Sequence, residues 1–474
     1  VRNLSFRHFP QNSLAILVAV CACLVPLSGI RAADTDNAPS FTNDKTGEVL
    51  SSLPALFDAK KYDEALKILD NLMPGLDPSS YDMMVVYDTR GRVFFQGKDQ
   101  PAKSIEDWEK MWALIKQHPE YMVGKDLVDH YEFMAQAYFF AAVALKTGDP
   151  QQRELFDHAV TYAKRWLAAT PKPGSQERFF VTELFYYKAV NSGSDKPDMD
   201  SLMETKHQAE EALVSDIRPR EEYYQILTQI AQQQEDYATA AKYVEWLVKT
   251  HPTNKEYWGQ LYGCYNNLAV TSEKDPRQRR VYYALAINTL ERAQALGYLN
   301  SPRDNYTVVS LYNDVGQYAK AAELLGSGLR SGKINDVLDN WRALSDFYRK
   351  MNQDLQAINV LKEAEAMDKY SGLGDLDIDI ADLYNGLDDT GNAYVYSKKA
   401  AEKGNLQKMK PYVPWENYAY LAYELGKFEE ALQAIEKALE YPNAPKECAN
   451  LKDGIMKAIK LREIEKAALK AQIK

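Results

Sequence analysis

The sequence predicts an all-α chain of about ten antiparallel helix pairs closed by a final helix, and three observations carry that prediction. First, Ala240, Ala286, Ala321, Ala357, Ala393 and Ala431 recur at intervals of 46, 35, 36, 36 and 38 residues. Second, four residues after each alanine comes Val244, Leu290, Leu325, Leu361, Ser397 or Ile435. Three further on comes Leu247, Ala293, Gly328, Ala364, Ala400 or Ala438. That four-and-three spacing puts all of them on one helix face. Third, bulkier residues precede the alanines at helical spacing: Trp258, Leu261 and Tyr265, or Trp341, Leu344 and Tyr348. Small residues let two helices cross closely, and large ones fill the wedge between one pair and the next.

The N-terminal segment stands outside this pattern. VRNLSFRHFPQN carries Arg2 and Arg7 without an acid, residues 14–27 are an apolar run, and SGIRAAD supplies small residues. This is the layout of a secretory signal peptide over 1–32, cut after Ala32 in preference to Ala33. The run is short of the roughly 20 residues that span a bilayer. An uncleaved anchor and a lipoprotein at Cys23 are the alternatives. A first residue of Val fits a bacterial gene read from a non-ATG start, so the expected location is the periplasm. Removing Arg2, Arg7 and Arg31 takes the net charge from −10 to −13. An acidic balance argues against nucleic acid, whose phosphates need a basic surface. Of the four cysteines only Cys264 and Cys448 then remain, too few for a disulfide framework.

A linker over 33–45 leads into divergent helical pairs over 46–220. GEVLSSLPALFDAKKYDEALKILDNLM is a good pair around Ala65. SIEDWEKMWAL around Ser104 and HAVTYAKRWLAATP with Ala159 and Ala163 read as second helices. FFVTELFYYKAV with METKHQAEEALV makes a fourth pair, and PKPGSQE and NSGSDKPDMD read as loops. Regular pairs fill 221–443, with Pro252 and Pro442 as helix stops. The 46-residue interval contains the polar TSEKDPRQRR, which predicts two lengthened helices joined by a projecting loop. Residues 444–474 read as the closing helix that a repeat array needs at its exposed end.

The repeats resemble the tetratricopeptide family. WGQLYGCY, WRALSDFY and WENYAYLA match its first helices, and YATAAKYVEWLVKTHP and FEEALQAIEKALEYP its second helices. The resemblance implies a TPR-type α-solenoid, a right-handed superhelix whose first helices line a concave, peptide-binding groove. Residues 255–440 also resemble periplasmic repeat proteins encoded beside TonB, ExbB and ExbD, through stretches such as AINTLERAQALGYL, VSLYNDVGQYAKAAELLGSGLRSGKI and AEKGNL. That likeness implies protein partners among TonB-system components and carries no site residue across. The N-terminal third departs from it.

No cofactor, metal or catalytic site is expected. LGSGLRSGK has the wrong spacing for a phosphate loop and falls in a second helix and its exit turn. GDLDIDIADLYNG places Asp375, Asp377 and Asp379 like a calcium loop, but Ile380 replaces the turn glycine and Gly386 the bidentate acid. In repeat register these aspartates start a helix, where acids suit the positive end of the dipole. The six histidines form no metal-spaced pair.

Function is therefore expected on the surface. The outward first-helix positions are Gln225, Gln229, Gln232, Gln260, Asn266, Asn267, Asn313, Asp346, Arg349, Asn385 and Asn417, with Arg342 as a further cation. Amides both donate to and accept from a peptide backbone, so this groove suits an extended protein segment. The expected role is a non-catalytic, exported interaction scaffold, touching membrane only through partners or an uncleaved N-terminus. A tethering component contacting glycan or lipid is the alternative.

Overall fold

The computed structural model describes residues 39–472 except 147, 171, 192–196 and 408, and from 470 onward the backbone alone. The signal peptide, its cut at Ala32 or Ala33, Cys23 and the first part of the linker lie outside the described residues. Within them every regular element is helical. No described helix is long and apolar enough to cross a membrane.

Among the described residues ten pairs follow in order. They are α1 (Asp44–Asp58) with α2 (Tyr62–Leu72), α3 (Tyr81–Arg92) with α4 (Pro101–Gln117), and α5 (Gly124–Ala144) with α6 (Pro150–Ala169). Next come α7 (Ser175–Val190) with α8 (Met199–Ser215), and α9 (Glu221–Gln233) with α10 (Tyr237–Thr250). The second half holds α11 (Lys255–Thr271) with α12 (Pro276–Ala295), α13 (Pro302–Asp314) with α14 (Tyr318–Ser331), and α15 (Leu338–Lys350) with α16 (Asp354–Glu365). A single turn, α17 (Asp368–Ser371), precedes α18 (Gly374–Gly386) with α19 (Thr390–Lys403), α20 (Val413–Glu424) with α21 (Phe428–Leu439), and the terminal α22 (Lys446–Gln472). Packing divides the chain into two compact units between Leu247 and Val248. The sequence boundary at 220/221 marks where the repeat pattern becomes regular, which is a separate property.

The first unit packs a continuous core in which Leu53, Trp108, Met111, Phe139 and Phe156 are buried. Its α7, α8 and α9 meet through Phe179, Ala209, Ala212 and Tyr223. The loop expected at PKPGSQE is shorter than drawn, because Ser175–Glu177 form the first turn of α7, which starts after Gly174.

In the regular pairs the alanine register is the crossing register: Ala240, Ala286, Ala321, Ala357, Ala393 and Ala431 are all 0% exposed. Seven residues after Ala321, Gly328 is small for a local reason, since a Cβ there would stand 2.6 Å from Ile334 Cδ1 in the α14–α15 connection. Gly332 then ends α14 in the left-handed region at φ 73°, as the exit turn requires. Cys264 and Cys448 are buried and unbridged. At Ala357 the crossing is tight enough that Ser345 Oγ donates to the Ala357 carbonyl at 3.1 Å. Ala357→Leu therefore overpacks α15 against α16 and costs about 1–3 kcal/mol. A thermal melt reads this directly, and an unchanged midpoint would place the crossing elsewhere.

Two elements differ from expectation. The insertion lengthens both α11 and α12 as expected, but only residues 272–275 of its polar stretch stay outside the helices, as the turn that joins them. PRQRR opens α12, capped by Asp275, which accepts from the Arg277 and Gln278 amides. Proline at the first helical position and an aspartate cap are strong start signals, and they convert loop-like composition into helix. The terminal helix buries Cys448 and Ile455 against α20 and α21, with Leu451 and Ile459 half-buried. Beyond that point Leu461 and Ile464 are exposed, so its first half does the closing.

Candidate interaction face

First helices of successive pairs lie side by side in the second unit, and polar contacts join them. Lys350 Nζ on α15 donates to Asn313 Oδ1 on α13 at 3.0 Å, while also pairing with Asp346 at 2.9 Å. From α15 to α18, Arg342 Nε donates to Asp379 Oδ2 at 2.6 Å and Nη2 stands 3.5 Å from Asp375.

Between α15, α16 and α18 lies a cleft of about 230 Å³. Arg342, Asp346 and Arg349 form one wall, Asp379 and Asp382 the other, and Leu361 and Leu383 add apolar surface. Arg342 enters it already engaged. Burial opposes its charge, but the bonds to Asp379 and Asp375 outweigh that and raise its pKa. For Asp379 the balance reverses: burial pushes the carboxyl up and Arg342 only partly offsets it. Arg349 is different. It is exposed, interacts with the charge of Asp382, and its side chain makes no hydrogen bond or ion pair among the described residues.

The remaining predicted positions scatter along first helices. In the second unit Gln260 is exposed and Asn266 and Asn267 half-buried on α11, Asn385 is exposed on the last turn of α18, and Asn417 is half-buried on α20. In the first unit Gln225 donates to Glu221 at 3.0 Å, Gln229 accepts from the Tyr186 hydroxyl, and Gln232 is half-buried on α9. The structure thus gathers Arg342, Asp346 and Arg349 around one cleft and brings Asn313 against Lys350. Asp382 was missed. Its signal was present, since 375, 379 and 382 repeat the four-and-three spacing of 342, 346 and 349.

The decoy aspartates have structural work. Asp375 accepts from the Gln407 amide at 2.7 Å, and fully buried Asp377 pairs with Lys403 at 2.7 Å and Lys399 at 3.4 Å. No group of three or more His, Cys, Asp or Glu side chains suited to a metal occurs among the described residues.

Paired helices crossing at buried small residues, repeated along the described residues, define an all-α array of the tetratricopeptide type. No family model matches the sequence, and no curated protein matches it. Among solved structures the chain is similar to the TPR domain of P58(IPK), at 13% identity and TM-score 0.22, over 88% of this chain and 99% of that one. It is similar to a tetratricopeptide repeat protein from Parabacteroides merdae at 13% identity and TM-score 0.28, over 58% and 99%. It is also similar to PilW, a type IV pilus biogenesis factor, at 15% identity and TM-score 0.28, over 49% and 97%. Likeness at this level speaks for neither a partner nor an activity.

Proposed function

We propose that this protein is a non-catalytic, exported interaction scaffold that holds an extended protein segment on its first-helix face, in the setting of TonB-type transport. The observation that carries the reading is Arg349: an exposed cation at a cleft beside two first helices, whose side chain makes no hydrogen bond or ion pair among the described residues and feels the charge of Asp382. An acidic residue of the bound segment pairs with it. Asn266, Asn313 and Asn385 meet the segment's backbone, since an amide satisfies both N–H and C=O. The signal-like N-terminus and the resemblance of residues 255–440 supply the exported setting.

The test begins with chemical crosslinking in the periplasm to recover the partner. Its affinity for the wild type is then compared with that for the triple variant Asn266→Ala, Asn313→Ala, Asn385→Ala. A neutral hydrogen bond contributes about 0.5–1.5 kcal/mol, so losing three weakens binding by roughly tenfold or more. Helicity holds, because alanine is the better helix former. Full affinity in the triple variant would reduce these amides to solvated surface.

A further inference from the structure

The lengthened pair creates a second recessed surface, away from the α15–α18 cleft. Tyr265 and Ala286 are 21 residues apart, whereas the matching residues of the next three pairs are 9 apart. The added residues all extend one end. Helix α11 runs to Thr271, six residues past Tyr265, while α13, α15 and α18 stop two residues past theirs. Helix α12 starts ten residues before Ala286, while α14, α16 and α19 start three before theirs. At 1.5 Å per residue the pair overhangs its successor by about 6–10 Å.

Under the overhang lies a cleft of about 380 Å³. Arg280, Ala284, Ile287 and Asn288 of α12 face Val315 and Gln317 at the α13–α14 turn. Its one carboxylate, Glu291, is engaged by the Tyr312 hydroxyl at 2.6 Å. The cations are not engaged. Arg280 and, one turn earlier, Arg277 are exposed, and their side chains make no hydrogen bond or ion pair among the described residues. Arginines opening a helix sit at the positive end of its dipole, where acids are favoured. Asp275 offsets this locally as the cap, which leaves two unpaired guanidinium groups in a chain of net charge −10.

We propose that the overhang cleft docks an acidic, extended protein segment. An Asp or Glu side chain pairs with Arg280, and a second acid reaches Arg277. An aliphatic residue between them rests on Ala284, Ile287 and Val315, and the segment's backbone meets the Asn288 and Gln317 amides. A volume near 380 Å³ is within the usual range for a recognition pocket and takes side chains, which a flat lipid surface would not fill. This site does not rest on the first-helix face.

The test is fluorescence anisotropy of the full chain with a labelled peptide of alternating Asp and Leu. A Lys and Leu peptide and phosphatidylglycerol vesicles serve as comparison probes. The acidic peptide binds and the basic one does not. Arg277→Glu with Arg280→Glu weakens binding at least tenfold, and Ala284→Trp, which fills the cleft from an exposed position, does the same. Should the charge reversals unfold the pair on a thermal melt, Arg277→Gln with Arg280→Gln carries the same comparison. The proposal fails if the acidic peptide does not bind, or if only vesicles do. It fails if Ala284→Trp leaves affinity intact, which would mean diffuse charge attraction. It also fails if binding is lost in Arg349→Ala and kept in the charge reversals, which would place the peptide on the first-helix face.

Discussion

Lys403→Met lowers the stability of the second unit by about 3–5 kcal/mol, because it strands a buried carboxylate. Asp377 has no exposed side-chain surface, and its charge is met by Lys403 at 2.7 Å and Lys399 at 3.4 Å. Glu365 holds those same lysines at 2.8 and 2.6 Å, so the four groups lock α16, α18 and α19 together. Even so, burial dominates at Asp377 and raises its pKa, with Lys403 and Lys399 pulling the other way. A carboxyl whose folded pKa lies above its unfolded value favours the folded state at low pH and weakens it as pH rises. Removing Lys403 enlarges that effect. The defect is therefore greatest at neutral pH and narrows on acidification, as Asp377 takes up its proton. Urea unfolding followed by circular dichroism at neutral and acidic pH measures both. Adding Asp377→Asn to Lys403→Met restores much of the loss, since a neutral amide needs no buried cation. A Lys403→Met variant as stable as wild type would show that Lys399 alone suffices.

Trp341→Ala costs about 3–5 kcal/mol, the usual range for emptying a core tryptophan site. Trp341 is 1% exposed. Its Nε1 also donates to Asp336 Oδ1 at 2.6 Å, and Asp336 in turn accepts from Tyr370 at 3.2 Å and pairs with Lys369. Truncation thus removes a wedge between pairs and one anchor of the α14–α15 connection. Trp341→Phe keeps most of the volume and loses mainly the hydrogen bond, about 1 kcal/mol. Leu355→Ala, at a side chain 65% exposed, should hardly move the curve. Equal losses for the alanine and phenylalanine variants would assign the effect to the hydrogen bond instead of the wedge.

The pairs were legible because their determinants are local and periodic. Ala357, Leu361 and Ala364 announce a crossing face by spacing alone, and Trp341 and Leu344 announce what fills the wedge. The candidate interaction face was legible only as a set of outward positions. Spacing could not distinguish Arg342, which Asp375 and Asp379 engage, from Arg349, which keeps its charge exposed. Composition misled at PRQRR: polar residues suit loops and solvated helix turns equally well, and the Asp275–Pro276 start signal decides between them.

By itself the sequence determined the all-α class, the pairing of helices and the crossing register, since each follows from side-chain size at positions three and four apart. Tertiary structure alone decided which charges are buried and which are offered. Asp375 and Asp377 read as ordinary helix-opening acids, yet Arg342 stands 33 residues before the first and Lys403 26 residues after the second. Whether a carboxylate is solvated or locked in an ion pair depends on groups that only folding brings within a few ångströms. Coulomb energy follows that distance and the local dielectric, neither of which is written in the spacing of residues along one helix.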